Sequence, residues 1–343
     1  MSISAPLTET DLQAPTRRIA KISARPRRAM LDVVRLLAAY AIVWLHTPRS
    51  PELAGSTAIG RAAVPFFVCA TIFFIWQGVV EQPARRFGSY AASRFERLYV
   101  PFLAWSAIYL AFKWGKSLFM PELPNDFPGF EFLWTGSFYH LWFMPFILVV
   151  SLGTFLAARW LVVRPAAEMT AGLAGLVAGT LVAVAPVPAA VVGTSAEFPW
   201  NALPAVCWGV ALSVLMHRKV RPWLESGAAA AMGLAVAVVC IAWVWRFGRD
   251  NLAENLAGVG LSLVALAPTS AAWLARLGKF GPQAYGIYLS HLLFIKVAES
   301  LLARLGMPLS WQVDIGVFVF AAIGSSLLAW SLAQTRYTRW LAA

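Results

Sequence analysis

The chain has 343 residues, 59% hydrophobic and 13% charged, with 16 Trp and a formal net charge of +12. Soluble domains carry about 25% charged residues, so a soluble globular protein is excluded. What remains is an all-α polytopic membrane protein, whose length suits about ten helices at roughly 30–35 residues per helix and loop.

Residues 1–28 are polar and end in Arg17, Arg18, Lys21, Arg25, Arg27 and Arg28, which reads as a disordered basic cytoplasmic tail. The apolar run that follows is long and lacks a small-x-small cleavage site, so it reads as a retained span and not as a signal peptide. Apolar runs predict spans over residues 30–47, 58–80, 98–119, 139–163, 168–192, 200–216, 226–246, 254–275, 282–303 and 311–334. Together they make one transmembrane domain over 29–336, followed by a short cytoplasmic tail, 337–343, with no appended soluble domain expected. "GLAGLVAG" (Gly172 to Gly179) falls inside a span, with no strand before it and no Lys-Ser/Thr after it. It predicts close helix packing through Gly175 and Gly179, and no phosphate loop.

Charge placement orients this bundle. With the N-terminus inside, nineteen of the 28 Lys and Arg residues fall in the tail, the even loops and the C-terminus. The loop 120–138 carries Glu122, Asp126 and Glu131 and neither Lys nor Arg. By the positive-inside rule both termini are cytoplasmic. Only eight basic residues fall on the other side: Arg49, Arg61, Lys113, Lys116, Arg246, Arg249, Lys296 and Arg304. The surplus is an orientation signal, which excludes nucleic acid as the partner and leaves the lipid bilayer.

The polar residues inside the spans carry the chemistry. Arg35 and His46 are eleven positions apart, about three turns plus roughly 20°, so they share a helix face about 16 Å apart in rise. Intramembrane ionisable groups are costly unless they face a cavity or a partner, so this face predicts a water-accessible path inward from the cytosol. The same pair also fits a snorkelling Arg35 bound to Asp32 and a His46 that caps the outer end. Arg94 and Arg97, three apart at the cytoplasmic end of the third span, suit phosphate oxygens; they equally fit ordinary positive-inside arginines. In the ninth span Tyr285, Tyr288 and His291 form one stripe, which also fits an interhelical hydrogen-bond network, and Lys296 and Glu299 are spaced to pair. His140 opens the fourth span in "HLWFMPF", where an aromatic belt position is the plainer reading. His217 lies in a basic cytoplasmic loop and reads as solvated. Four His and three Cys (Cys69, Cys207 and Cys240) sit on different runs without chelate or disulfide spacing, which predicts no metal and small core thiols. No G-x-S-x-G elbow is present, which removes the usual serine hydrolase.

These marks resemble the acyltransferase family 3 membrane proteins. The resemblance rests on Arg35 and His46 in "LDVVRLLAAYAIVWLHT", Arg94 and Arg97 in "SRFERLYVPFLAW", and the stretches "AVPFFVCATIFF", "HLWFMPF" and "YGIYLSHLLF". They run from Asp32 to about Leu301, over nearly the whole chain. One departure stands in the second span, where Ala70, Thr71 and Ile72 occupy the region of the family's Ser-Gly pair. The resemblance implies a ten-helix fold that moves an acyl group, commonly acetyl, from cytosolic acetyl-CoA to a carbohydrate hydroxyl. Exopolysaccharide, lipopolysaccharide and lipid-linked glycans are the implied acceptors, and a bacterial cytoplasmic (inner) membrane the implied location. Arg35 and His46 would be the functional pair, with His291 beside them. Arg94, Arg97 and Arg35 would hold coenzyme A; His140, Trp142, Tyr285 and Tyr288 would meet the substrate. His46 serves as general base or as transient acyl carrier. A secondary transporter using the same residues as a proton or solute path is the rival function, against which stand the lack of repeated halves and of paired Gly/Pro-broken helices. Oligomeric state is not legible in the sequence.

Overall fold

The computed structural model describes residues 28–47, 50–120, 127–217, 220–269 and 271–342. The tail read over 1–28 therefore lies outside the described residues, Arg28 excepted. Ten long helices follow in chain order: α1 (Ala29–Leu45), α2 (Ala63–Glu81), α3 (Val100–Phe119), α4 (Phe143–Leu161), α5 (Pro165–Val184), α6 (Glu197–His217), α7 (Gly227–Phe247), α8 (Asn251–Leu266), α9 (Ala284–Arg304) and α10 (Trp311–Ala333). Among the described residues there is no strand. Among the described residues seven stretches are long and apolar enough to cross a membrane, those containing α2, α4, α5, α6, α7, α9 and α10. The other three are α1 at 17 residues, α8 at 16, and α3, whose last turns carry Lys113 and Lys116.

Local chemistry starts several of these helices. Ser226, Asp250 and Ser310 each accept a hydrogen bond from a first-turn N–H of α7, α8 and α10, at 3.1, 2.9 and 3.4 Å, satisfying a donor that the helix itself leaves unmade. Pro165 opens α5, where its missing N–H costs nothing.

α1, α2, α4, α8 and α9 form the interior, with Ala39, Val43, Phe66, Cys69, Ile287 and Leu292 fully buried. α5, α7 and α10 lie outside and expose rows such as Leu173, Leu176, Val177 and Leu181. An apolar surface of that extent marks contact with lipid. Within lipid, burial of apolar groups does not drive helices together, so close approach must. A Cβ added at Gly175 would stand 2.7 Å from the Cys207 carbonyl, and one at Gly179 would stand 2.5 Å from the Trp208 indole nitrogen. α5 and α6 thus pack through the two glycines that the sequence singled out. Gly233 and Gly260 do the same for α7 and α8.

Two connections reach inward. Residues 127–142 fold back along α3, mostly exposed as far as Trp134 and buried at Gly136, Ser137, His140 and Leu141. The Tyr99 hydroxyl donates to the Leu133 carbonyl at 2.9 Å, and Ser137 Oγ donates to the Ser106 carbonyl at 2.7 Å. The turn passes through Gly136 at φ +84°, where a Cβ would meet Leu141 at 2.4 Å, so only glycine fits. After α1, buried Asp314 of α10 accepts from the Ser50 backbone N–H at 3.0 Å and from the Ser50 hydroxyl. Near the C-terminus the Leu341 carbonyl accepts from Trp105 Nε1 at 3.0 Å and Ala342 is buried, so the end of the short tail read over 337–343 packs on the bundle.

Candidate active site

Two cavities lie end to end in the bundle. The one nearer Arg28 and the start of α9 has a volume of about 240 Å³ and is lined by Arg35, Arg94, Tyr285 and Tyr288 among apolar side chains. Arg94 closes a short helix, Phe87–Arg94, that runs into a π-helical turn, Phe95–Tyr99, and then into α3. Its Nε donates to the Tyr90 hydroxyl at 3.1 Å while its guanidinium stacks over the Tyr90 ring at 5.2 Å. Arg35 faces Asp32 at 3.6 Å. Two guanidiniums therefore edge one small cavity, a donor set that matches phosphate oxygens.

The second cavity, about 280 Å³, is lined by His46, His140, Trp142, Arg61, Arg249, Glu254 and both Asn201 and Asn255. Here three of the four histidines converge. The His46 and His291 rings stack with centroids 5.4 Å apart and planes 20° apart. His140 meets His291 edge-on at 5.2 Å. His46 closes the last turn of α1, His140 sits in the short turn Tyr139–Trp142 that precedes α4, and His291 lies two turns into α9. The Tyr139 hydroxyl and His46 Nδ1 are 3.3 Å apart.

Hydrogen bonds fix the two inner rings. His291 Nδ1 lies 2.7 Å from the Tyr288 carbonyl, and His140 Nε2 lies 3.4 Å from the Leu289 carbonyl. A carbonyl only accepts, so in the neutral rings those nitrogens carry the proton. That leaves an acceptor lone pair on His291 Nε2 and on His140 Nδ1. Both nitrogens are buried without a hydrogen-bond partner. Buried polar atoms are rarely left unpaired, and here two acceptor nitrogens lie in one cluster.

Phe143 and Tyr288 line both cavities and divide them. Their rings meet edge-on at 5.9 Å, and the Tyr288 hydroxyl donates to the His140 carbonyl. Arg35 and His46 thus share one helix yet open on opposite sides of this partition. Between them Ala39 and Val43 are fully buried, while Ile42 lines the second cavity.

Residues 28–333 match the acyltransferase domain of acyltransferase family 3. The chain belongs to that family. No curated protein and no solved structure matches it.

Of the positions that carried the resemblance, Arg35 and Arg94 line the first cavity and His46 and His140 the second, and Arg97 lines neither. Arg97 is exposed in the π turn, and its carbonyl accepts from the Tyr285 hydroxyl at 3.0 Å. The spacing of three that would put Arg94 and Arg97 on one α-helical face is widened by that turn, so Arg94 alone borders the cavity. Lys296 and Glu299 pair at 2.6 Å. His217 is not simply solvated: its Nδ1 lies 2.7 Å from fully buried Glu168. Among the described residues no three His, Cys, Asp or Glu are arranged to hold a metal ion.

Sequence reasoning missed Tyr139, Arg61, Glu254, Arg249, Asn201 and Asn255 as cavity residues. Two signals were available. Glu254 is the one carboxylate in the apolar run 251–266, and Arg61 and Arg249 break the positive-inside pattern.

Proposed function

We propose that this family member is a membrane O-acyltransferase that takes acetyl from cytosolic acetyl-CoA and places it on a carbohydrate hydroxyl on the far side of the membrane. The acceptor would be an exopolysaccharide, a lipopolysaccharide or a lipid-linked glycan. On this reading about ten helices cross a bacterial cytoplasmic membrane and both termini face the cytosol, as the basic loops favour.

The observation that carries the reading is the meeting of two unlike cavities at Phe143 and Tyr288, with three imidazoles on the far side. Coenzyme A carries several phosphate charges, which Arg35 and Arg94 suit. The thioester end of its long arm approaches the partition from the arginine side. The acceptor hydroxyl approaches from the histidine side. His46 acts as general base: it takes the hydroxyl proton while the oxygen attacks the thioester carbonyl carbon, and the C–S bond breaks. The departing thiolate takes up a proton, so that the products are the O-acetyl ester and coenzyme A. His291, stacked on His46, and His140, edge-on to His291, supply the neighbouring nitrogens through which that proton can be held.

His46→Ala tests this. General base catalysis contributes roughly 10²–10⁴-fold, so acetyl transfer by the reconstituted variant should fall by at least about a hundredfold. The variant should still insert in the membrane and bind acetyl-CoA. A transfer rate within about twofold of the parent would overturn the proposed role.

A further inference from the structure

Beyond the His46 cavity lies a larger, open one of about 580 Å³, and the two share Tyr139, Trp142 and Phe198. Its walls carry Lys113, Lys116 and Lys296, together with Glu131. The smaller cavity adds Arg61 and Arg249, with Glu254 facing them at 3.7 and 3.6 Å. Two facts about these five cations belong together. They are five of the eight basic residues that break the positive-inside pattern, and they all border this one connected space. A bundle that otherwise keeps Lys and Arg off its outer side gathers them where the acceptor must pass. Among the described residues the walls hold two carboxylates, Glu131 and Glu254, and Glu299 behind Lys296 makes a third. The five cations outnumber these three.

The polar floor also points to a ligand. Glu254 is 9% exposed and Asn255 1% exposed. Asn255 Oδ1 is nevertheless buried without a hydrogen-bond donor although the residue lines the His46 cavity, and Glu254 Oε1 beside it is met by the two arginines. An acceptor of this kind is matched by a hydroxyl of a sugar. The aromatic faces of Trp142 and Phe198, stacked 5.7 Å apart at the junction of the two cavities, offer its ring an apolar surface.

We infer that the acyl acceptor is an anionic glycan: its hydroxyl enters the His46 cavity while a carboxylate or phosphate group of the same molecule rests among Lys113, Lys116 and Lys296. This deepens the proposed function and rests on its orientation. Opposite charge along the walls raises the local concentration of such an acceptor and fixes its direction of approach.

The test uses cells that encode the chain, and the same cells lacking it, grown with radiolabelled acetate. Their envelope glycans are saponified to confirm O-acetyl label and are separated by anion exchange. Chain-dependent label is expected in retained, anionic glycans. Loss of retention after carboxyl reduction assigns the charge to a carboxylate, and loss after mild acid assigns it to a lipid-linked phosphate. Chain-dependent label confined to unretained, neutral glycans overturns the inference while leaving acetyl transfer intact. No chain-dependent O-acetyl label would instead sink the acyltransferase reading on which the inference rests. In proteoliposomes supplied with the labelled fraction, the triple variant Lys113→Gln, Lys116→Gln, Lys296→Gln should raise the acceptor KM about tenfold or more and flatten its salt dependence. The acetyl-CoA KM should stay within twofold. An acceptor KM unchanged in that variant would also overturn the inference.

Discussion

The two cavities that meet at Phe143 and Tyr288 are of similar size, about 240 and 280 Å³, and differ in what lines them. The first is an apolar chamber edged by two guanidiniums. The second holds imidazoles, a carboxylate, two amides and two further arginines. A single continuous site would need one inventory. Two inventories divided by two aromatic rings suit two substrates that arrive from opposite sides and share only the reacting atoms. The contrast also shows why charged residues are tolerated at this depth. Each faces a chamber or a partner and avoids lipid, as at Arg35 with Asp32 and at Arg61 with Glu254.

The contrast breaks most sharply through the arginines. Arg94 borders the chamber that Arg35 lines and Arg97 does not, although sequence spacing treats them as a pair. Losing a hydrogen bond to a charged group costs about 1.5–3 kcal/mol, or roughly 10- to 150-fold. Arg94→Ala should therefore raise the acetyl-CoA KM at least about tenfold and leave the acceptor KM alone. Arg97→Ala should change the acetyl-CoA KM by less than about threefold. Steady-state kinetics in proteoliposomes read both, and equal losses in the two variants would mean that the chamber does not define the donor site.

The partition offers a finer probe. Tyr288→Phe keeps the ring and removes the hydroxyl that holds the His140 carbonyl. A hydrogen bond is worth about 1 kcal/mol, so kcat should drop about fivefold with both KM values near those of the parent. Tyr288→Ala removes the ring as well and joins the chambers. Acetyl-CoA hydrolysis without acceptor should then rise above the parent rate, as water reaches the thioester from the far side. If neither variant alters coupling between hydrolysis and transfer, Tyr288 is not a divider.

How much of this was legible beforehand depends on the range of the interaction. The helices were legible because apolar runs and caps are local, and the predicted runs lie close to α1–α10. Arg35 and His46 were legible because a helical repeat links them within one element. The convergence of His46, His140 and His291 was not, since it depends on how α1, α4 and α9 pack. Depth on the drawn topology would have grouped only two of them: His46 and His140 sit at the outer ends of their spans, and His291 near the middle of its own. The α-helical face assigned to Arg94 and Arg97 failed because no local residue pattern announces a π turn. Nor did periodicity reveal the inward fold of residues 127–142, which depends on Gly136 and on the contacts of Ser137 with α3.

The smallest effect concerns a contact remote from both chambers, and it supplies the control for the others. Glu225 lies between α6 and α7, where Arg28 Nη2 donates to it at 2.9 Å and Arg221 Nε at 3.3 Å. Partial burial pushes its carboxyl up, but the two arginine hydrogen bonds and their charges outweigh this and hold it below the ordinary carboxylate value. A carboxylate depressed in the folded state stabilises the fold above its unfolded pKa of about 4.3. That contribution fades as pH falls through the lower folded value. With the group more than a quarter exposed, its worth is under about 1 kcal/mol. Glu225→Gln should thus lower the thermal midpoint in detergent by a few degrees or less at pH 7, and the difference from the parent should close as the pH falls below the ordinary carboxylate range. Both KM values should be unchanged. A deficit that persists undiminished in acid would mean that the substitution acts through packing, and the ion pair would then not be what ties Arg28 to the loop between α6 and α7.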